Sequence, residues 1–179
     1  MPAQPVRKLH AVPAPKDHAQ PELRFAFEPF YVIARELWPL FRKHWRELGT
    51  NRDTIPLDPN WDGIMQQSVA GLCQILTVRD GDKLIGYICN QVSPHIYHKS
   101  TLHAWIDNFW LEPRYRRGLT ALKMFRTNEA HLRKLGVVCV IVAEKLHWLS
   151  PRKKRPRVLF RRMGFKAADV VYTKLLMED

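Results

Sequence analysis

An arginine-rich turn between a predicted strand and a predicted helix is the part of this sequence with the clearest chemical potential. Residues 109–121 have the sequence FWLEPRYRRGLTA. A helix that begins directly after a strand exposes free backbone N–H groups at the positive end of its dipole, and such groups bind phosphate oxygens. Arg116 and Arg117 would strengthen the binding of an anion, and Gly118 would let the backbone approach it closely. On local pattern alone, a basic turn of this kind is more often a solvated surface.

The elements around this turn must hold it in place, and the hydrophobic periodicity of the chain predicts them. A strand–turn–strand unit is centred on Asp80-Gly81-Asp82, which is a strong hairpin signal. Pro39 is expected to kink the first helix or to split it in two. The predicted order is a strand at 23–27, helices at 30–48 and 58–72, strands at 74–79, 83–92 and 101–111, a helix at 119–135, a buried central strand at 137–143, a short helix at 158–163 and a last strand at 169–177.

The formal charge of +12 is concentrated in two segments. Residues 112–136 carry a net charge of +5, and residues 145–166 carry nine basic and no acidic residues, so the rest of the chain sums to −2. This concentration predicts an anionic partner for the C-terminal half, either nucleic acid or a phosphorylated cofactor. The run 152–157 could be an ordinary solvated loop, could attract cofactor phosphates at long range, or could contact DNA or RNA with Trp148 stacking on a base. No nucleic-acid-binding module is visible, so that third interpretation ranks last.

Composition favours one domain of ordinary size preceded by an extended arm. The chain has 179 residues, of which 46% are hydrophobic, and this is enough for a buried core. Residues 1–21 contain five of the 13 prolines, so we expect an arm there that is poorly ordered alone or docks on a neighbouring subunit, and a domain over 22–179. The apolar runs are far shorter than the ~20 residues of a membrane span, and no secretory signal is visible. We therefore expect a cytoplasmic protein that does not enter a membrane.

Cysteine and histidine give no sign of a disulfide or a metal centre. The three cysteines lie in apolar stretches and are predicted to be buried thiols of a reducing compartment: Cys73, Cys89 and Cys139. His95 and His98 have no cysteine or acidic residue at ligand spacing, so no metal site is expected.

The order of these elements and three of their motifs resemble the GNAT superfamily of acyl-CoA-dependent N-acyltransferases, over roughly residues 23–177. The motifs are the hairpin at Asp80-Gly81-Asp82, the turn Leu111-Glu-Pro-Arg-Tyr-Arg116 and the terminal run Leu159-Phe-Arg-Arg-Met-Gly-Phe165. The runs WIDNFWLEP and NRDTIPL are also similar to GNAT-type proteins encoded by tailed bacteriophages, for which the location would be the host cytoplasm. The resemblance implies a mixed α/β sheet of about six or seven strands flanked by four helices.

The resemblance also implies acetyl-CoA as the acyl donor, with coenzyme A as product, and an amine acceptor on a small molecule or a protein. The backbone from Phe109 to Leu111 would pair with the pantetheine arm of coenzyme A, and the loop from Arg116 to Ala121 would hold its pyrophosphate. The implied binding residues are Phe109, Trp110, Leu111, Arg116, Arg117, Gly118, Leu119, Thr120, Ala121 and Phe160. The family spacing of arginine or glutamine, two residues, glycine, one residue, then glycine or alanine is not matched. If the spacing starts at Arg116, Leu119 stands at the glycine position. If Gly118 is set at the glycine position, Tyr115 stands first and Thr120 last.

The catalytic groups that the resemblance implies are incomplete. Transfer from a thioester requires a deprotonated amine and a proton for the leaving thiolate. Many GNAT members supply that proton from a tyrosine in the last helix, where this chain has Phe160. The candidates for the base are His103, Asp107 and Glu144. For each of them a structural explanation is favoured over catalysis: a sheet histidine, a buried hydrogen-bond acceptor and a solvated strand end, respectively. Direct attack without an enzyme base is a further alternative.

Three functions therefore stand open on the sequence. The first is an N-acetyltransferase acting on an unknown amine. The second is a catalytically weak or inactive GNAT-like protein of a phage that binds a host or virion component. The third is a nucleic-acid-binding protein.

Overall fold

The computed structural model describes residues 22–144, 155–174 and 176. The predicted N-terminal arm and residues 145–154, which include Trp148, lie outside the described residues. In the described residues five strands and four helices follow in the order β1 (Leu23–Phe27), α1 (Phe30–Leu48), α2 (Trp61–Val69), β2 (Cys73–Asp80), β3 (Lys83–His95), β4 (His98–Leu111), α3 (Thr120–Lys134), β5 (Val137–Val142) and α4 (Arg155–Arg162), with a 3-10 turn at Pro113–Tyr115 between β4 and α3.

The strands form one mixed sheet in the order β1-β2-β3-β4-β5. The first three pairs are antiparallel, and the predicted hairpin is present, since Asp80 pairs with Lys83 around a turn in which Gly81 has a φ of +57°. The last pair, β4 with β5, is parallel because α3 carries the chain back along the sheet between them. This change from antiparallel to parallel pairing lies beside the arginine-rich turn.

Helices cover both faces of this sheet. α1 and α2 pack on one face, here called the α1 face, whose buried core includes Phe30, Ile33 and Tyr87. α3 and α4 pack on the opposite face, here called the α3 face, whose core includes Phe125 and Phe160. Burial of these apolar side chains on two faces is what holds the layers together. No helix in the described part of the chain is long and apolar enough to cross a membrane.

A reciprocal pair of amides joins α3 to the middle of the sheet. Asn90 Nδ2 donates to Asn128 Oδ1, and Asn128 Nδ2 donates to Asn90 Oδ1, both at 2.9 Å. Asn90 Nδ2 also donates to the carbonyl of Gln74 at 2.9 Å, and both asparagines are completely buried. Because buried amides must be hydrogen-bonded, this pair fixes where α3 sits on the sheet.

The predicted mixed α/β fold is confirmed, with differences in strand number and in one helix. The sheet has five strands among the described residues and not six or seven, and residues 169–174 and 176 of the predicted last strand form none. β5 is the outer strand of the described sheet and exposes Val138, so it is not a central strand buried on both faces. α1 is one continuous helix through Pro39, so the alternative of two helices is wrong. Pro39 itself is exposed, and packing of Leu37 and Leu40 on the sheet offsets the hydrogen bond it removes.

Candidate active site

β4 and β5 pair along only part of β4. Their register runs from Leu102 opposite Val137 to Ile106 opposite Val142, where β5 ends. β4 continues for five more residues to Leu111, and over this length its hydrogen-bonded partner in the described chain is β3 alone. Within the described residues, the edge of β4 from 107 to 111 therefore has backbone donors and acceptors without a strand partner, and an extended ligand can pair with such groups.

A β-bulge lies where this pairing ends. Cys89 of β3 pairs with Asn108, whereas the next residue, Asn90, pairs with Ile106, so Asp107 is an extra residue in β4. Asn108 Nδ2 donates to Asp107 Oδ2 at 2.5 Å, and both side chains are exposed. Bulges bend a strand, interrupt its ladder and redirect its side chains, and they are frequent beside active sites.

The bulge also changes which side chains share a face. Strict alternation predicts that Ile106 and Trp110 lie on one face and Phe109 and Leu111 on the other. In the structure Ile106, Phe109 and Leu111 all contribute to the α3 face, while Trp110 packs on the α1 face. The predicted alternation is wrong beyond Asp107 because one extra residue shifts the phase of a two-residue repeat.

Arg116 fastens the turn after β4 to the body of the protein. Its Nε donates to the carbonyl of Leu111 at 2.6 Å, its Nη2 donates to Glu47 Oε2 at 2.6 Å, and its Nη1 donates to Glu47 Oε1. Glu47 belongs to α1 and also accepts from Trp110 Nε1 at 2.8 Å. Partial burial alone would raise the pKa of the Glu47 carboxyl, but the hydrogen bonds from Arg116 and Trp110 outweigh it and lower that pKa. The Arg116 guanidinium thus serves as a structural clamp between the turn and α1.

Two further side chains hold the same turn. Lys43 Nζ of α1 donates to Glu112 Oε1 at 2.7 Å, and the Tyr115 hydroxyl donates to Asp80 Oδ2 in the β2–β3 hairpin. Burial alone would raise the pKa of the Glu112 carboxyl, but the hydrogen bond and charge of Lys43, with nearby cations, lower it. The turn is therefore fixed to α1 twice and to the hairpin once, before the chain enters α3.

The residues that follow these anchors project outward at the start of α3. Arg117, Gly118 and Leu119 are exposed, and Gly118 has a φ of +70°, a conformation that a residue with a Cβ rarely adopts. Lys123 N–H closes the first helical bond to the Leu119 carbonyl. The first N–H groups of α3, which begins at Thr120, have no acceptor within the helix. Such donors beside an exposed arginine at a helix N-terminus are a suitable site for a phosphate group.

Comparison with known proteins identifies this architecture. No protein-family model and no curated protein sequence matches the chain. Among solved structures, an aminoglycoside acetyltransferase from an uncultured soil metagenomic sample, in complex with trehalose, matches with a TM-score of 0.67 at 11% identity, over 87% of this chain and 97% of that one. A predicted acetyltransferase with acetyl-CoA from Clostridium acetobutylicum matches with a TM-score of 0.62 at 13% identity, over 86% and 96%. A GCN5-related N-acetyltransferase from Ralstonia eutropha matches with a TM-score of 0.63 at 17% identity, over 86% and 98%.

The chain has the GNAT acetyltransferase fold. The arginine-rich turn predicted from the sequence lies in this GNAT fold between the parallel-paired strand β4 and α3. The narrower resemblance to phage proteins stays a prediction.

Two of the three predicted candidates for the catalytic base, His103 and Asp107, are not brought together. His103 and Asp107 are four residues apart on β4, which corresponds to about 13 Å of extended strand. Asp107 lies at the bulge and is exposed, while Glu144 follows β5 by two residues. Of the two candidates on β4, Asp107 is the one placed where the β4–β5 pairing stops.

His103 occupies a different setting, near the turn that joins β3 to β4. Its ring centroid is 4.6 Å from that of His95, and its Nε2 is 3.3 Å from Thr101 Oγ1. His103 Nδ1 is buried and has no hydrogen-bond partner among the described residues. A buried, unsatisfied imidazole nitrogen is unusual in a purely structural sheet histidine, so a catalytic or binding role for His103 stays a prediction.

Phe160 lies in the core of the α3 face, and its ring is 5.9 Å from Phe109 and 5.7 Å from Phe125. It therefore lines the space behind the free segment of β4. Its ring has no hydroxyl to donate a proton, so the implied acid is missing at this position.

Two features of the site have no signal in the sequence. Glu47 is 69 residues from Arg116, and nothing in an amphipathic helix marks one glutamate as the partner of a distant arginine. Tyr87 is buried on the α1 face with its hydroxyl 2.7 Å from His44 Nδ1, and burial, followed by the charges of Cys89 and Asp107, raises its pKa well above the ordinary value.

Proposed function

We propose that this chain is an acetyl-CoA-dependent N-acetyltransferase. The observation that carries the proposal is the free edge of β4, which leads directly into the free N–H groups at the start of α3. The pantetheine arm contains two amide groups that can pair with the edge at residues 109–111 in the manner of an added strand. The pyrophosphate that follows it would meet the donors of residues 117–122 and the guanidinium of Arg117. A long, flexible ligand with amides at one end and phosphates at the other fits this order of features.

The reaction forms a C–N bond between the acceptor amine and the thioester carbonyl carbon and breaks the C–S bond. The amine must lose a proton, and the thiolate that leaves must gain one. We assign the proton-accepting role to Asp107, because its exposed carboxylate lies at the bulge where the free edge begins. Phe160 cannot supply the proton to the thiolate, so that proton comes from the amine or from water. His103 and Glu144 are the alternative bases.

The acceptor is an amine whose identity the fold does not determine. One of the matching structures is an aminoglycoside acetyltransferase, and aminoglycosides carry several primary amines. We therefore take aminoglycosides as the first acceptors to assay, followed by polyamines and N-terminal peptides.

Calorimetry with acetyl-CoA tests the proposal. The two glycines that flank α3 supply a test variant and a matched control. Gly118 and Gly136 stand at opposite ends of the helix with φ of +70° and +83°, and a Cβ at either would have no heavy atom within 4 Å. Gly118→Ala and Gly136→Ala should therefore cost a similar strain of about 1–2 kcal/mol of folding stability. Only Gly118→Ala changes the backbone that offers its N–H groups to the pyrophosphate. We expect it to weaken acetyl-CoA binding and Gly136→Ala to leave binding unchanged. Equal binding by both variants, or no binding by the unaltered protein, would contradict the proposal.

A second candidate is a GNAT-fold protein that binds acetyl-CoA without transferring its acetyl group. The observation in its favour is the phenylalanine at position 160, buried where the family's tyrosine would stand. Release of coenzyme A in the presence of an amine panel, abolished by Asp107→Asn, would exclude it. Tight acetyl-CoA binding with no release of coenzyme A for any amine would support it.

A further inference from the structure

Both helical layers carry exposed cations without an ion pair in the described chain, including Arg35, Arg42 and Arg46 of α1. The carboxylates of the helices lie mostly on the α1 side. On the α1 face the buried or partly buried cations are matched by carboxylates. Arg79 Nε donates to Glu28 Oε2 at 2.9 Å and its Nη1 donates to Glu36 Oε2 at 2.7 Å. Arg116 is matched in the same way by Glu47. The acidic residues of α1 and of the segment just before it are thus used to neutralise their own surroundings.

The helices on the α3 face carry exposed cations that make no ion pair within the described chain. They are Arg117, Lys123, Arg126, Arg133, Lys134, Arg161, Arg162 and Lys166. Glu129 is the one carboxylate on α3, and α4 has none. The charges of Arg126 and Arg133 act on Glu129, but the surface keeps an excess of positive charge, and such a surface attracts polyanions.

Four of these cations form a continuous ridge along α3. At 100° per residue, Lys123, Arg126, Arg133 and Lys134 fall within a sector of about 100°, and they span about 16 Å of helix axis. The opposite side of the helix holds its buried residues, Met124, Phe125, Asn128 and Leu132. We call the four cations the α3 ridge. A shallow depression of about 450 Å³ lies along it, between Lys123 and Arg126 and their neighbours Leu119, Leu122, Thr127 and Ala130.

We propose that the α3 ridge binds the phosphate backbone of double-helical DNA. Duplex DNA presents one negative charge per about 1.7 Å of its axis with both strands counted, so a length of duplex equal to the ridge holds about nine phosphates, and those on its near side can contact the ridge. The ridge contains no aromatic side chain on which an unpaired base could stack, and this favours a duplex over a single strand. The apolar side of α3 is buried against the sheet, so the helix has no free apolar face to insert into a lipid surface. The contacts are to phosphate and carry no sequence preference.

Anisotropy of a labelled duplex of arbitrary sequence, titrated with the full chain at several salt concentrations, tests this proposal. The ridge variant is Arg126→Gln/Arg133→Gln/Lys134→Gln. The matched control is Arg35→Gln/Arg42→Gln/Arg46→Gln, which removes the same charge from three exposed arginines of α1 that form no ion pair within the described chain. Both variants change only exposed side chains, and their unfolding is measured in parallel. The single variant Arg126→Gln replaces the triple variant if the latter does not fold.

The unaltered protein should bind with a steep dependence on salt. Each phosphate contact contributes about −0.9 to the slope of log K against log salt, so the ridge variant should lose about 2.7 of that slope and at least about tenfold in affinity at 0.1 M salt. The single variant should lose about 0.9 of the slope, and the α1 control should bind nearly as the unaltered protein does. Equal losses in the ridge variant and the control would overturn the proposal, as would an unaffected ridge variant or no binding at low salt. Tighter binding to duplex RNA or to anionic lipid vesicles than to DNA would also overturn it.

Discussion

Replacing Arg116 with alanine should destabilise this protein, whereas replacing its neighbour Arg117 should not. The Arg116 side chain is 24% exposed and donates three hydrogen bonds, to Glu47 twice and to the Leu111 carbonyl. Hydrogen bonds to charged groups contribute about 1.5–3 kcal/mol each, but these three share one side chain and solvent replaces part of them. We therefore expect Arg116→Ala to cost about 2–3 kcal/mol of unfolding free energy. Arg117 is exposed and forms no ion pair in the described structure, so Arg117→Ala should stay within about 0.5 kcal/mol.

Acetyl-CoA binding should depend directly on Arg117 and only indirectly on Arg116. Arg117 lies beside the free N–H groups of α3, and its removal should weaken binding by the 1.5–3 kcal/mol of a charged hydrogen bond, which is about 10- to 150-fold. Arg116→Ala should weaken binding only because the turn is displaced. The lower unfolding free energy of this variant would identify Arg116 as a structural residue. The assays are urea unfolding followed by tryptophan fluorescence, and calorimetry with acetyl-CoA.

A double-mutant cycle with Glu47→Ala completes this test. If Arg116 acts as a clamp on α1, the coupling energy between the two substitutions should be at least about 0.5 kcal/mol and favourable to the pair. Additive effects, or equal stability losses for Arg116→Ala and Arg117→Ala, would refute the assignment of Arg116 as a structural anchor.

Three other outcomes are expected. Because the folded pKa values of Glu47 and Glu112 lie below the ordinary value of 4.5, both carboxyls stabilise the fold at neutral pH, and this stability should be lost as pH falls below about 4.5. Urea unfolding at several pH values should show this loss, and it should be smaller in Glu47→Gln. Asn90→Ala leaves the buried amide of Asn128 unsatisfied and should cost about 1–3 kcal/mol in the same assay, whereas a loss below that range would mean that the amide pair does not hold α3. Asp107→Asn should lower kcat by about 10²–10⁴ without changing acetyl-CoA affinity, and an unchanged kcat would remove Asp107 as the base.

The sequence predicts most of the fold because its signals are local. The Asp80-Gly81-Asp82 hairpin, the amphipathic repeat of α3 and the glycine that ends it each depend on residues a few positions apart, and all three are present. The last strand predicted over 169–177 shows the limit of such signals. An apolar, β-branched run indicates a strand only where a neighbour pairs with it, and no strand forms over residues 169–174.

The position of the arginine-rich turn was predictable from the sequence, but the contacts of its residues were not. The turn at 109–121 lies where the sequence placed it, between a strand and a helix. The bulge at Asp107 depends on the register between β3 and β4, which alternation within one strand cannot reveal. The clamp between Arg116 and Glu47 joins residues far apart in the chain, so no local sequence pattern indicates it.

Hydrogen exchange with and without acetyl-CoA tests the central claim most directly. If the ligand pairs with the free edge of β4 and its pyrophosphate binds the start of α3, exchange should slow in the backbone amides of residues 107–111 and 117–122. Amides of β1 and of α2, which lie away from this edge, should exchange at an unchanged rate. Slower exchange confined to other parts of the chain, or no change at saturating acetyl-CoA, would contradict the placement of the coenzyme between β4 and α3.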